Sequence, residues 1–173
     1  HFEARRQRQM CIRDRYGLEP SNYILTIARL EPENNLEMMF DGYISSGIKY
    51  PYFIIGNHLT SYGNFLKDKY SSSNIIFLGG IFNKNQLDNI RYYSKYYLHG
   101  HSVGGTNPAL IEAMAASAFI LVHDNQFNKS VVNQNAYYFN SSNTLSDLLN
   151  NKDILKVKNE FVKNNINKID KVY

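Results

Sequence analysis

The fold is decided by a stretch in the second half of the chain, residues 96–123, whose sequence is YYLHGHSVGGTNPALIEAMAASAFILVH. An apolar run at Tyr96–His99 precedes a glycine-rich loop, and helix-favouring residues then occupy Pro108–Ala116. A second apolar run follows at Ala118–His123. Short runs that are apolar on both faces are typical of buried parallel strands. The stretch therefore predicts a strand, a loop, a helix and a second, parallel strand.

The same alternation continues towards the N-terminus. We predict three further strands, at Tyr23–Ala28, Tyr52–Gly56 and Asn74–Leu78. Between them we predict helices at Asn34–Ser46 and Leu59–Tyr70, and a helix capped by Asn83 with Gln86 three residues on.

Two features support this pattern. Residues Leu36, Met39, Phe40 and Tyr43 form one apolar helix face, and Gly47 follows as a stop signal. After residues 137–139, helices at Thr144–Asn150 and Lys152–Ile169 complete an α/β, doubly wound, Rossmann-like parallel sheet.

Ligands bind such sheets at the carboxyl ends of the strands. The residues that directly follow the predicted strands are Arg29, Gly56-Asn57, Gly79-Gly80, Gly100–Asn107 and Asp124. We expect these residues to line the site.

The loop at 100–107 suits an anionic ligand. Glycines at 100, 104 and 105 let the backbone turn tightly and approach a ligand. Asn107 is a helix-capping residue, and Pro108 favours the first helical position. The free amides at such a helix start can bind a diphosphate.

Glu112 lies four residues after Pro108 and therefore on the same helix face. Its carboxylate could accept hydrogen bonds from two adjacent hydroxyls, as on a ribose. Alternatively, it could only complement the positive end of the helix.

Composition excludes several classes of protein. With 43% hydrophobic and 20% charged residues the chain is globular, and its apolar runs are too short to cross a bilayer. Five arginines and two acidic residues within the first fifteen residues carry most of the +4 net charge, leaving +1 elsewhere. We therefore expect no nucleic-acid partner, and a cytoplasmic location in the absence of a signal-peptide pattern.

Residues 1–15 stand apart from the rest. The run RRQRQMCIRDR at 5–15 resembles translated sequencing-adapter sequence, and it contains Cys11, the only cysteine. A basic N-terminal arm is the alternative. We expect a leader at 1–15, adapter-derived or disordered, and a nucleotide-sugar-binding domain at 16–173, truncated in its terminal helix.

The segment GGTNPALIEAMA at 104–115 resembles the donor loop and helix of glycosyltransferase family 4, retaining enzymes of GT-B fold. That family pairs two glutamates eight residues apart. The second matches Glu112, which the resemblance implies holds the ribose. The first would fall at Gly104, so the usual contact to the sugar is missing.

A second motif, IARLEPENN at 27–35, resembles the family's diphosphate clamp. Arg29 matches the clamp's arginine, although a solvated loop arginine is the alternative, and Asn34 stands at the lysine position. A third motif, HDNQFN at 123–128, together with the other two resembles bacterial rhamnosyltransferases of capsule and O-antigen synthesis.

The resemblance implies further contacts. Gly56, Gly79 and Gly80 would lie by the nucleotide, and Gly104, Gly105, Thr106 and Asn107 by the diphosphate. His101 would contact a phosphate or a sugar hydroxyl, or else hold the turn, while His58 and His123 would be structural. Arg29 and His101 are the candidate catalytic residues, and no metal or other cofactor is expected.

The function implied is that of the donor-binding half of a glycosyltransferase, with a UDP or dTDP sugar as substrate. An N-terminal domain would bind a saccharide or lipid-linked acceptor at the inner membrane face, and the fragment alone would transfer no sugar. A non-catalytic nucleotide-sugar module is the alternative. A dinucleotide oxidoreductase fits less well, because no Gly-x-Gly-x-x-Gly follows the first strand.

Overall fold

Residues 2–105 and 108–172 are described by a computed structural model, in which six parallel strands form a single sheet. The strands are β1 Ile24–Ile27, β2 Tyr52–Ile55, β3 Ile75–Gly79, β4 Tyr96–His99, β5 Ile120–His123 and β6 Tyr137–Phe139. The helices are α1 Phe2–Tyr16, α2 Leu36–Ser46, α3 Ser61–Lys69, α4 Lys84–Tyr93, α5 Pro108–Ala115, α6 Gln126–Val132, α7 Ser142–Asn150 and α8 Lys158–Val172. Short 3-10 helices lie at Pro32–Asn34 and Lys152–Val157. None of the helices in these ranges is both long enough and apolar enough to cross a membrane.

The strand order is β3-β2-β1-β4-β5-β6, with every neighbouring pair parallel. The chain winds outwards from β1 in one direction and from β4 in the other. The predicted doubly wound, Rossmann-like α/β fold is therefore confirmed. The two directions separate between β1 and β4, which is where sheets of this kind bind their ligands.

The adjacent strands β1 and β4 pair only at Ile24 with Tyr96 and at Leu25 with Tyr97. Further along, the Thr26 hydroxyl donates to the carbonyl of Leu98 at 2.9 Å, and it accepts from the Tyr52 hydroxyl at 2.7 Å. A side chain thus satisfies a buried backbone acceptor. The carboxyl ends of the two strands are left free to line a crevice.

Both faces of the sheet are covered. Tyr96 and Leu98 belong to the core under α2 and α7, whereas Tyr97 belongs to the core under α4 and α5. Successive side chains of a strand point to opposite faces, so a strand buried on both sides must be apolar throughout. The unbroken apolar runs in the sequence follow from this burial.

The predicted apolar face of α2 is confirmed. Leu36, Met39 and Phe40 are fully buried, Tyr43 is 3% exposed, and Gly47 ends the helix with a φ of 66°. The Phe40 ring makes edge-to-face contacts with three aromatic rings, which are those of Tyr52, Tyr70 and Phe77. Such pairs stabilise beyond their area burial.

The helix α6 and the strand β6 were not predicted from the sequence. The seven residues of α6 are too few for a clear 3.6-residue period, and β6 has only three residues. The start of α6 is fixed by a cap, because the Asn125 side chain accepts from the amide of Asn128 at 2.9 Å. The predicted helix at 152–169 also differs, since it begins as a 3-10 turn.

The segment expected to be a leader is helical rather than irregular, because α1 covers residues 2–16. Ile12 is 2% exposed within the core that α4 and α5 share. The Tyr16 hydroxyl donates to Gln86 Oε1 at 2.7 Å, and Arg13 pairs with Glu19 at 2.9 Å. The division of the chain at residue 15 stays a prediction.

Ile12→Ala should lower the free energy of unfolding by about 2–4 kcal/mol, because it removes buried methyl groups and leaves a cavity. Met10→Ala is the matched control, since Met10 is 53% exposed on the same helix. Denaturant titration of both variants measures the difference. Equal stability of the two variants would contradict the packing of α1 on the core.

Candidate functional site

A cavity of about 590 Å³ opens at the carboxyl ends of β1, β2, β3 and β4. This volume lies within the range of small-molecule sites. The cavity walls include nine of the residues predicted for the site: Arg29, Asn34, Gly56, Asn57, Gly80, Gly100, His101, Gly104 and Glu112. The other described residues expected there are not part of the walls: Gly79, Ser102, Val103, Gly105 and Asp124. Thr106 and Asn107 lie outside the described residues.

Arg29 lies two residues beyond the end of β1 and reaches the cavity from an exposed position. Its side chain is 77% exposed, and its ion-pair partner is Glu31 at 3.4 Å. An exposed pair of this kind contributes little free energy. The guanidinium can therefore turn towards an anionic ligand, such as a phosphate, which it can bind with two parallel hydrogen bonds.

Glu112 lies on the first turns of α5 and also lines the cavity, with its side chain 47% exposed. Its Oε2 accepts a hydrogen bond from the Arg91 guanidinium at 2.5 Å. Arg91 is 1% exposed and comes from α4. The carboxylate is thus held from inside the protein while it faces the crevice.

The loops after β1 and β4 are joined by hydrogen bonds. Asn35 donates from its side chain to the carbonyl of Gly100 at 2.7 Å. Ser102 donates to the carbonyl of Glu33 from both its amide, at 3.0 Å, and its hydroxyl, at 3.1 Å. The two loops therefore act as one wall of the cavity.

The side chain of Asn34 contributes to the same junction. Its amide nitrogen donates to the carbonyl of Arg29 at 2.7 Å, and its Oδ1 lies 3.0 Å from His101 Nδ1. Asn34 is 6% exposed. Although it lines the cavity as predicted, its polar atoms are engaged by protein groups, and its contact with a diphosphate stays a prediction.

This contact determines the tautomer of His101. Because the Asn34 amide nitrogen faces a carbonyl, its Oδ1 faces the imidazole, and Nδ1 of His101 must carry the proton. The other ring nitrogen, Nε2, has no partner within the described ranges and belongs to a residue of the cavity wall. Neutral His101 therefore offers an acceptor to a hydroxyl, and it can donate to a phosphate once protonated.

The third sequence motif, residues 123–128, holds the loop after β4 in place. Asn125 and Asn128 each donate from the side-chain amide to the carbonyl of His101 at 3.0 Å. Asn128 also donates to the carbonyl of His123 at 2.9 Å and is 3% exposed. The motif's asparagines support the cavity wall from behind.

His99, the last residue of β4, is a buried histidine next to the site. It is 4% exposed, and its Nε2 has no partner in the part of the chain that the structure describes. Burial, together with the nearby His101 and His123, lowers the pKa of His99 to about 3. Burial also lowers the pKa of His123 and of His58, the two histidines expected to be structural.

Two glycines are required by the close approach of backbones. A Cβ at residue 100 would lie 2.1 Å from the carbonyl oxygen of Asn34. A Cβ at Gly56 would lie 2.0 Å from the carbonyl oxygen of Ala28. Gly104, by contrast, has nothing within 4 Å of a Cβ.

The structure adds residues that the sequence did not single out. Arg91, Phe82 and His99 line the cavity, and Phe82 is 94% exposed. Phe82 follows Gly80-Ile81 directly, so its place after a predicted strand was a usable signal. No local pattern marks Arg91, because its role depends on a contact with another helix.

Among residues 2–105 and 108–172, no group of three or more His, Cys, Asp or Glu could hold a metal ion.

No protein-family model matches this chain, and no curated protein matches it significantly by sequence. Solved structures do match by fold. HepE of Anabaena, solved in complex with UDP-glucose, superposes with a TM-score of 0.81 at 15% identity, over 95% of this chain and 48% of that one. A glycosyltransferase of Rickettsia africae gives 0.73 at 13% identity, over 95% and 49%.

An E. coli trehalose-6-phosphate protein bound with UDP-2-fluoro glucose gives a TM-score of 0.73 at 17% identity, over 87% of this chain and 41% of that one. The chain thus spans half or less of these structures. It has the Rossmann-like fold of one half of a GT-B glycosyltransferase. At these identities the likeness shows the fold alone.

Gly100→Ala should destabilise the protein by about 1–3 kcal/mol, because the added methyl group collides with the Asn34 carbonyl and separates the two loops. The matched control is Gly104→Ala, in the same loop, where a methyl group meets open space. Thermal unfolding of both variants measures the difference. Destabilisation by Gly104→Ala alone would contradict the described loop geometry.

The free energy of unfolding should fall as the pH drops from 6.5 towards 3, partly because of His99. In this window the unfolded state binds a proton at residue 99 that the folded state does not, so acid favours unfolding by at most about 1.4 kcal/mol per pH unit. Above pH 6.5 His99 is neutral in both states. Denaturant titrations across this range should show a shallower pH dependence for His99→Leu, and parallel curves would contradict the burial of a neutral imidazole.

Proposed function

We propose that this chain is the donor-binding domain of a retaining, metal-independent glycosyltransferase. The observation that carries the proposal is that Arg29 and Glu112 line one cavity. This cavity lies at the carboxyl edge of the sheet, where the direction in which the chain adds strands reverses between β1 and β4. The sequence expectation required these two residues to meet there. Had Arg29 been at another edge, or Glu112 outside the crevice, the proposal would have failed.

The cavity offers complementary groups for the two ends of a nucleoside diphosphate. Arg29 is an exposed cation suited to phosphate oxygens. The start of α5 adds the positive end of a helix, where anions bind. Glu112 lies on this helix, so its carboxylate can accept from ribose hydroxyls while the diphosphate lies by the helix start.

Transfer from such a donor needs stabilisation of the departing diphosphate. Donors arranged in advance perform this best, because they need no reorganisation as charge develops. Arg29 and a protonated His101 are the groups we assign to this task. The hydrogen bond between His101 and Asn34 fixes the ring in advance.

The donor we propose is a UDP or dTDP sugar. Two structural neighbours support this class, HepE in its complex with UDP-glucose and the E. coli protein bound with UDP-2-fluoro glucose. Rhamnose as the sugar rests on the three sequence motifs. We assign the saccharide or lipid-linked acceptor to an N-terminal domain, working at the cytoplasmic face of the membrane.

A non-catalytic nucleotide-sugar module is the second candidate, favoured by one observation. Gly104 stands where the sequence resemblance expects the first glutamate, and it lines the cavity with open space around it. A site of this form can bind the nucleotide and lack a contact to the sugar. Sugar transfer by a protein that includes the N-terminal domain separates the two candidates.

Calorimetric titration with UDP and dTDP tests the binding site. We expect Glu112→Ala to weaken binding by about ten- to a hundredfold, which corresponds to the loss of a charge-assisted hydrogen bond of about 1.5–3 kcal/mol. Arg29→Ala should weaken binding of the diphosphates and have less effect on the free nucleoside.

The matched controls are Glu160→Ala and Lys163→Ala, which replace exposed charges on α8 away from the cavity. They should bind like the unmodified protein. Unchanged affinity in the double variant Glu112→Ala, Arg29→Ala would remove the basis of the proposal.

A further inference from the structure

Arg91 is the most deeply buried cation that the structure describes. Its side chain is 2% exposed, and it lies among the buried residues of α4, beside Ile90 and Tyr93. Burial of an unpaired guanidinium costs several kcal/mol. Such a residue has to be paired, and its partners indicate what the burial achieves.

The partners of Arg91 lie on two sides of its guanidinium group. One nitrogen, Nη2, donates to Glu112 Oε2 at 2.5 Å, and another, Nη1, donates to Asp88 Oδ1 at 3.2 Å. Asp88 in turn pairs with Lys84 at 2.5 Å. Charges therefore alternate in sign from the exposed Lys84, through Asp88 and Arg91, to the carboxylate at the cavity.

The contact with Glu112 uses only part of its carboxylate. Oε2 accepts from Arg91, whereas Oε1 has no hydrogen-bond partner among the described residues. Each carboxylate oxygen has two acceptor positions. Three of the four thus remain for a ligand, enough for the two vicinal hydroxyls of a ribose.

We propose that Arg91 is a positioning residue for nucleotide binding, which orients the Glu112 carboxylate from inside the protein towards the ribose hydroxyls. This inference rests on the proposed function. A glutamate that is 47% exposed would otherwise sample several rotamers. The buried, planar guanidinium of Arg91 holds Glu112 in one rotamer before the ligand arrives, so less conformational entropy is lost on binding.

The surroundings of Arg91 support a fixed orientation. Asp88 holds the guanidinium from its own helix, three residues earlier. Tyr97 of β4 is buried beside the pair; burial raises the pKa of its hydroxyl and the charge of Arg91 opposes that shift. The guanidinium is thus enclosed by α4, β4 and α5, and a change of rotamer would separate it from both carboxylates.

The alternative is that the ion pair only connects α4 to α5. That role predicts lower stability without Arg91 and an equal effect on every ligand of the cavity. The positioning role predicts an effect limited to ligands that carry ribose hydroxyls. The two roles therefore differ in a measurable ratio.

The experiment compares the affinities for UDP and for 2′,3′-dideoxy-UDP by calorimetry, in the unmodified protein and in Arg91→Met, Arg91→Lys and Glu112→Gln. We expect the unmodified protein to prefer UDP, and Arg91→Met to reduce that preference by about tenfold. The affinity of Arg91→Met for 2′,3′-dideoxy-UDP should stay within about twofold of that of the unmodified protein, because this ligand lacks the hydroxyls that Glu112 contacts.

Arg91→Lys keeps a buried cation, so it tests the inference even where Arg91→Met fails to fold. A lysine has no planar guanidinium to orient the carboxylate, so the preference for UDP should fall by at least about threefold. Glu112→Gln should lose the preference, and adding Arg91→Met to it should cause no further loss. Arg13→Met, at an exposed arginine of α1, is the control and should keep the preference.

The possible outcomes distinguish the positioning role of Arg91 from nucleotide binding by the cavity. Folded Arg91 variants that keep the full preference for UDP overturn the positioning role and leave the proposed function standing. Equal weakening for both ligands assigns Arg91 to the connection of the helices and also overturns it. An unmodified protein that binds neither of these compounds nor dTDP overturns the proposed function itself.

Discussion

At the carboxyl edge of the sheet two backbones lie in direct contact, with the carbonyl of Asn34 only 2.1 Å from where a Cβ on residue 100 would stand. Only a glycine allows this approach. The contact lets Asn35 bond to Gly100 and Ser102 to Glu33, so that the loops after β1 and β4 form one wall. Arg29 and His101 share a cavity because of it, although more than seventy residues separate them in sequence.

The wall is supported by groups that no ligand needs to contact. Asn125 and Asn128 bind the carbonyl of His101, and Thr26 binds the carbonyl of Leu98 where β1 and β4 part. Each of these bonds satisfies a backbone acceptor that the open crevice would otherwise leave unpaired. The crevice therefore exists before a ligand binds, which reduces the ordering that binding requires.

The sequence was sufficient to predict the architecture and the position of Arg29 and Glu112 at the carboxyl edge of the sheet, because both depend on local pattern. Apolar runs predicted the strands, Arg29 lies two residues beyond β1, and Glu112 lies about one turn into α5. The part that could not be predicted depends on contacts between distant segments. Arg91 has the sequence context of a surface arginine, and its burial follows only from the carboxylate that α5 brings to it, 21 residues later. Asn34 was assigned to a ligand by motif position, whereas the loop geometry engages its side chain with protein groups.

The positions of the polar groups in the cavity determine which parts of a nucleotide sugar it can recognise. Glu112, held by Arg91, and Arg29 are suited to the pentose hydroxyls and the phosphates, which both UDP and dTDP sugars carry. At Gly104 the cavity has open space, so a donor sugar would meet no side chain at this position. Selectivity between sugars depends on buried polar groups that are left unpaired by the wrong substrate. With a nucleotide sugar as the proposed ligand, Glu112 and Arg29 supply affinity for the nucleotide, and His101 is the oriented side chain of this wall that can contact a sugar hydroxyl.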